Sequence, residues 1–279
     1  MKRLFSANFY LSACLAGALL LSGCAKDKNG ERLIFSVEDD IALGQQVAAQ
    51  TDSIYRSKGQ LLELNDPRPN VQAAYAQING IVNNILASDK ISYRSEFGYE
   101  VKIINDDNTL NAFATPGGHI YVFTGIIKKL DNEDQLAGVL GHEIAHADRR
   151  HTSKALERQY GLSVLLSILL GENQNQLVEI GAGLATLKFG RDAETEADFY
   201  SVEYLADTKY TCDGAAEFFK KMQTEETQTG KPPVFLSTHP NDADRIKAIT
   251  DKATADNCIK TVDQSSTASY QTLKNNLTF

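Results

Sequence analysis

Between residues 71 and 87 apolar side chains fall at Val71, Ala74, Ile78, Ile81, Val82 and Ile85, the recurrence of an amphipathic helix. The period then changes. Tyr99-Glu100-Val101-Lys102-Ile103-Ile104 alternates as a strand does, and residues 110–114 and 119–123 read as two more short strands around Pro116-Gly117-Gly118. Asn132 caps a helix with Glu133 and Asp134 in its first turn, and apolar positions carry it to about Arg150. Upstream, Ser36-Val37-Glu38-Asp39 caps a helix reaching about Gln50. Residues 161–170 are an apolar decade, too short to span a bilayer. After a polar break at 171–176 a second apolar helix covers 177–189, and the two suit a helical hairpin in the core, with a membrane-facing or lid helix as the alternative for 161–170. Further helices fall over 193–206 and 212–223, and a Gly/Pro loop leads to Ser237-Thr238-His239-Pro240. The pattern predicts a mainly helical α+β fold with a small sheet.

The N-terminus reads differently. Lys2 and Arg3 precede an apolar run over residues 9–21, which ends in Leu21-Ser22-Gly23-Cys24. This is a secretory signal with a bacterial lipobox, so cleavage before Cys24 and lipidation of that cysteine are expected. Ala25 follows, which by resemblance to enterobacterial lipoproteins implies the outer membrane rather than the inner. The organisation expected is a signal at 1–23, a lipidated tether at 24–35, one domain at 36–262 and a polar, Ser/Thr-rich tail at 263–279. A periplasmic address changes the reading of the cysteines. Cys14 leaves with the signal, and Cys212 and Cys258 remain. In an oxidising compartment they most simply form one disulfide, against the alternative of two separate buried thiols.

The 279 residues are 42% hydrophobic and 23% charged, which excludes general disorder and a polytopic membrane protein. The net charge of -8, with no basic block, argues against a nucleic-acid partner.

The candidate chemistry sits on the helix after Asn132. His142-Glu143-Ile144-Ala145-His146 places two imidazoles four residues apart on one helical face, where both reach one ion. Glu143 is rotated about 100° from His142 and stands beside the ion without ligating it, as a general base must. Catalytic zinc takes three protein ligands and leaves a place for water. His119, His151, His239 and downstream acids are candidates for the third. His151 lies five residues past His146 and has turned off the shared face, so it reads as a structural or surface residue. Glu194 and Asp198 share a helical face, and one can bind metal while the other accepts the N–H of a ligand histidine.

His142-Glu143-x-x-His146 followed by Glu194-x-x-x-Asp198 resembles the gluzincin zinc peptidases of the HtpX and CAAX prenyl endopeptidase family, in particular its soluble periplasmic lipoprotein branch. The resemblance runs over residues 36–249. Asn111-Ala112-Phe113-Ala114-Thr115-Pro116-Gly117-Gly118 matches the segment before the active-site helix. Residues 142–151 match H-E-[IL]-[AG]-H-x-x-x-R-H, with Arg150 and His151 in place. Thr238-His239-Pro240 and Arg245 match a distal His-Pro…Arg segment. Gly190 departs from the pattern, which often has Ser there, and leaves the local helix start open.

The resemblance implies a zincin-like domain with one Zn²⁺ held by His142, His146 and Glu194, Glu143 as base, and Asp198 supporting a ligand histidine. It implies that Asn111, Ala112, Phe113 and Ala114 form an edge strand that pairs with the substrate backbone; an ordinary core strand is the alternative. His239 is expected in the cleft with Arg245, either bonding the developing oxyanion or occupying zinc's fourth position at rest. The expected activity is endoproteolysis of peptides or unfolded envelope proteins in quality control, with envelope assembly proteins as candidate partners and the membrane reached through the lipid. A non-proteolytic chaperone or assembly lipoprotein on the same fold is the alternative. The intact Glu143 argues against it, since a binding module needs no base.

Overall fold

The computed structural model describes Lys28, residues 35–240, 243–262 and 264–279. The signal segment and Cys24 lie outside the described residues. Helix α1 (Val37–Ser57) opens the domain. Ser36 Oγ accepts the Asp39 N–H while Asp39 accepts the Ser36 N–H, so two unpaired donors of the first turn are satisfied reciprocally. Strand β1 (Leu61–Leu62), helix α2 (Pro69–Leu86) and strands β2 (Val101–Ile104), β3 (Ala112–Ala114) and β4 (Ile120–Phe123) follow, with a 3₁₀ turn at Pro116–Gly118 between the last two. Then come α3 (Thr124–Lys129), α4 (Glu133–Asp148), α5 (His151–Tyr160), α6 (Leu162–Leu169), α7 (Gln174–Gly183), a 3₁₀ turn at Leu184–Thr186, α8 (Arg191–Leu205), α9 (Gly214–Thr229), α10 (Val234–Thr238), α11 (Ala243–Ala255) and α12 (Gln264–Asn276).

The sheet runs β1-β2-β4-β3. β2 and β4 are parallel, with Val101 opposite Ile120. β3 folds back antiparallel on β4, with Ala112 opposite Val122. Strand alternation sends Val101, Ile103, Ala112, Ala114, Ile120 and Val122 into a core shared with α2, α4, α8 and α9. Ile104, Phe113, Tyr121 and Phe123 enter a second core with α1, α6 and α7. Both faces of the sheet are thereby covered.

Helix α4 is the central post. Each of its residues is buried, and Asn132 Oδ1 caps it by accepting the Gln135 N–H at 3.0 Å. Its partners come close because the contact residues are small. A Cβ on Gly138 would lie 2.2 Å from the Ala215 nitrogen, so glycine is needed for α9 to cross there. At the far end, the buried Asp148 accepts the N–H groups of Ser92 and Tyr93 and the hydroxyl of Tyr204, which ties the last turn to α8.

Three expectations change. The second apolar helix stops at Gly183 rather than running to Phe189, because the chain tightens into the 3₁₀ turn and becomes extended at Leu187. Residues 151–160, for which the sequence pattern names no element, form α5. The segment read as a polar tail forms α12. It buries Tyr270, Leu273 and Leu277, and Tyr270 donates its hydroxyl to the Ile127 carbonyl at 2.7 Å. Three large apolar side chains in an otherwise polar stretch are enough to dock it on α2 and α4. Cys212 and Cys258 are joined by a disulfide with Cα atoms 5.7 Å apart, stapling the start of α9 to the end of α11. Among the described residues no helix is long and apolar enough to cross a membrane.

Candidate metal centre

Three elements meet beside the middle of α4. That helix supplies His142 and His146 one turn apart, α8 supplies Glu194, and the residue after α10 is His239. One donor atom from each lies within 4.8 Å of the other three. All four residues are at most 1% exposed. His142 Nε2 is 3.0 Å from His146 Nε2 and 3.4 Å from His239 Nδ1, and that nitrogen is 3.1 Å from Glu194 Oε1. Glu194 Oε2 is 3.5 Å from His142 Nε2, and its Oε1 is 3.6 Å from His146 Nε2. Donors on a tetrahedral zinc stand about 3.3 Å apart, given metal–nitrogen distances near 2.0–2.1 Å. The observed spacings bracket that value. Ring nitrogens this close satisfy one another only by sharing a proton or a cation, so three imidazoles and a carboxylate fit one zinc ion.

The electrostatics agree. Burial opposes charge on His142, yet Asp198 and then Glu194 outweigh it and push its pKa up to about 9. Burial also opposes charge on Glu194, but His239 and His142 hold its carboxyl well below the usual range. His146 is driven well below the ordinary imidazole value by burial, with the neighbouring His142 adding to it. The carboxylates of Asp198 and Glu194 thus favour positive charge at the cluster, while burial keeps it off the His146 ring.

Glu143 stands apart from the donor set. It is fully buried, with no side chain among the described residues hydrogen-bonded to either oxygen and the Ala114 backbone N–H as the group placed to donate to it. Its nearest ionisable contact is His239 Nε2, 3.7 Å from Oε1. Burial raises its pKa, which makes it a better proton acceptor than an exposed carboxylate. Arg245 reaches in from α11. It donates Nε and Nη2 to Asp198 at 2.7 and 2.8 Å and sets Nη1 2.8 Å from Glu194 Oε2. Asp198 Oδ1 stands 3.0 Å from His142 Nδ1.

The edge-strand residues Asn111, Ala112, Phe113 and Ala114 are all buried. Beyond β4, their cover is the turn after α7 and α10: Asn111 donates to the Ala185 carbonyl at 2.9 Å, and the Phe235 N–H donates to Leu110 at 3.0 Å. Thr152 donates to the Ala114 carbonyl at 3.0 Å. His119 is not in the cluster; it faces Glu100.

His151 lies outside the donor set, as its spacing predicts, but it is an interior residue and not a surface one. It is buried, with Nδ1 3.0 Å from His146 Nδ1. Two aromatic neighbours also escaped the motif. Phe189 stacks on His146 with centroids 4.1 Å apart, and Phe235 stacks on His239 at 4.3 Å. Phe189 sits in the stretch expected to be helix, so only its place five residues before Glu194 could have marked it.

Comparison with known proteins supports the same chemistry. The mitochondrial metalloendopeptidase OMA1 of Schizosaccharomyces pombe is 31% identical over 187 residues, covering 65% of this chain and 53% of that protein. The beta-barrel assembly-enhancing protease of Yersinia pestis is 31% identical over 189 residues, with 63% and 38% covered. Its Escherichia coli counterpart is 26% identical over 224 residues, with 76% and 44% covered. The chain thus spans between 38% and 53% of the length of these relatives. The pattern that defines peptidase family M48 matches residues 72–253, from α2 to the end of α11 and so across every donor of the cluster. The HExxH helix, the buried donor set and this match agree: the chain belongs to peptidase family M48, and its domain is a zinc metalloendopeptidase.

Proposed function

We propose that this protein is a bacterial envelope endopeptidase, anchored by a lipid on Cys24, that cleaves unfolded or misassembled envelope proteins. The lipobox and the relatives named for beta-barrel assembly support the compartment and the substrate class. In this reading His142, His146 and Glu194 hold the zinc. Bound zinc supplies Lewis-acid activation of water and of the scissile carbonyl. Glu143 accepts the proton from the attacking water and hands it to the leaving amine. Asp198 keeps His142 turned towards the metal, and Arg245 keeps both Asp198 and Glu194 in place. The main-chain groups of residues 111–114 bind the substrate backbone once the cover formed by α10 and the turn after α7 moves aside, which explains breadth of sequence tolerance.

The observation that carries the reading is Glu143: a fully buried carboxylate that no side chain hydrogen-bonds among the described residues, next to a donor set for a cation. A buried carboxylate so thinly satisfied is costly, and catalysis supplies a reason to keep it. Glu143→Gln should abolish cleavage of an unfolded protein such as casein while zinc stays near one per chain. Cleavage persisting in a pure preparation would sink the base assignment.

His239 takes zinc's fourth position at rest in this reading, which its 3.1–3.4 Å spacing to Glu194 and His142 supports. His239→Ala then raises basal proteolysis. A fall in turnover at unchanged zinc content would instead make His239 an oxyanion donor.

A further inference from the structure

The two ligand histidines on α4 are supported in different ways. His142 has a carboxylate, Asp198, at its outer nitrogen. His146 has none. Its outer nitrogen Nδ1 faces Nδ1 of His151 at 3.0 Å, and the far nitrogen of His151, Nε2, lies 3.1 Å from Glu196 Oε2. The second oxygen of Glu196 accepts Nε of Arg149 at 2.6 Å, and the Arg149 guanidinium lies over the Tyr200 ring at 4.3 Å. The chain His146–His151–Glu196–Arg149 therefore runs from the metal centre to the surface of α8.

The polarity of every link follows from the ends. His146 Nε2 points into the donor cluster and must offer a lone pair there, so its proton resides on Nδ1. His151 Nδ1 must then accept. The remaining proton of His151 sits on Nε2, where the Glu196 carboxylate receives it. We propose that His151 is a positioning residue for zinc: a neutral imidazole, locked in its Nε2–H form by Glu196, that holds His146 in the ligating tautomer and ring orientation. The proposal rests on the reading of His146 as a zinc ligand.

The backbone is built to bring His151 there. Five residues further along a straight helix it would point about 140° away from His146. Helix α4 instead ends at Asp148, and Arg150 adopts the left-handed conformation (φ 60°, ψ 28°), so that α5 starts in a new direction with His151 turned back. A non-glycine residue there is strained, by about 1 kcal/mol or more. Arg150 is clamped to hold it: Nε reaches Asp40 at 2.5 Å, and Nη2 donates to the carbonyls of Phe35 and Ser36 at 2.6 and 2.9 Å. Strain at this one residue, retained and clamped, aims a buried imidazole at a ligand's outer nitrogen.

The test reads protons and metal rather than turnover. In zinc-loaded, ¹⁵N-labelled protein, long-range ¹H–¹⁵N correlations should show His151 as the Nε2–H tautomer and His146 as Nδ1–H. The His151 signals are identified by their loss in His151→Asn. A His151 protonated on Nδ1 overturns the proposal, and this readout needs no variant to fold in order to be seen in the native chain. Zinc affinity by chelator competition gives the second arm. His151→Leu should weaken binding about 10- to 100-fold, the usual effect of losing a ligand's outer partner. His151→Asn, whose carbonyl oxygen can take the place of Nδ1, should recover most of that loss. Undiminished affinity in His151→Leu, or an Asn variant no better than Leu, also overturns it. His146→Ala separates the two layers. If it keeps native affinity, the ligand reading itself fails; if it loses zinc while His151→Leu does not, only the positioning role fails.

Discussion

The metal centre has two flanks, built on different principles. On the Asp198 side, one carboxylate faces a ligand histidine directly and is gripped by two nitrogens of Arg245. Arg245 rides on α11, whose end is stapled to the start of α9 by the Cys212–Cys258 disulfide. On the His151 side, a neutral ring stands between ligand and carboxylate, and the element carrying it is aimed by a strained residue and an ion pair to α1. The first flank concentrates charge next to the metal and secures it covalently. The second keeps charge one ring further away and secures it electrostatically. A site needing both a firm ligand set and a modest total charge can divide the two tasks in this way.

Substitutions graded by expected size sharpen this contrast. Glu194→Ala removes a proposed ligand and belongs to neither flank. It should leave the purified chain without stoichiometric zinc, and full occupancy by elemental analysis would point to another ligand. Asp198→Ala comes next. It removes one of the two carboxylates that face the buried Arg245 guanidinium, and breaking a buried pair costs about 3–5 kcal/mol. Denaturant unfolding should show that loss, and a smaller one for Glu196→Gln, whose carboxylate is partly exposed. Equal losses would erase the distinction between the flanks. Replacing Cys212 and Cys258 by Ala opens a 46-residue link and should cost about 2–4 kcal/mol, read as a lower melting temperature with zinc bound. An unchanged melting temperature would mean the α11 flank does not depend on its staple. The smallest effect is expected from Ser36→Ala, which removes the cap next to the carbonyls that hold Arg150. It should cost about 1 kcal/mol and leave zinc affinity unaltered.

The two flanks also differ in how far the sequence discloses them. Asp198 is visible because it lies four residues from Glu194, a spacing that only needs a helix. The same logic misplaces His151, because extending α4 by its own period cannot foresee a left-handed residue at 150. The Arg150 side chain is held by Asp40, more than a hundred residues upstream, which no local pattern discloses. Local periodicity likewise gives most of α2, whose core lies on one face, and β2, β3 and β4, whose apolar runs supply a core on each side of the sheet. It misses α5, the end of α7 and the docking of α12, each decided by partners distant in the chain. The cap at Asn132 and the motif at residues 142–146 are legible because capping and metal ligation are chemistry of near neighbours. His239 is placed there only by the resemblance of its His-Pro segment, and Phe235 by nothing in the sequence, since spacing locates neither.

The depth of the cluster has a kinetic corollary. Its four donors are at most 1% exposed, and β3 is covered along its length. Donors this deeply buried meet a chelator the size of EDTA at most through the cavity of about 630 Å³ that Glu194, Asp198 and Arg245 line, so loss of an ion held there depends on excursions that part the elements. Once scavenging outpaces reclosure, the demetallation rate should become independent of chelator concentration and equal the opening frequency of the domain. Stopwatch measurements of zinc loss would then clock the same breathing motion that admits a polypeptide.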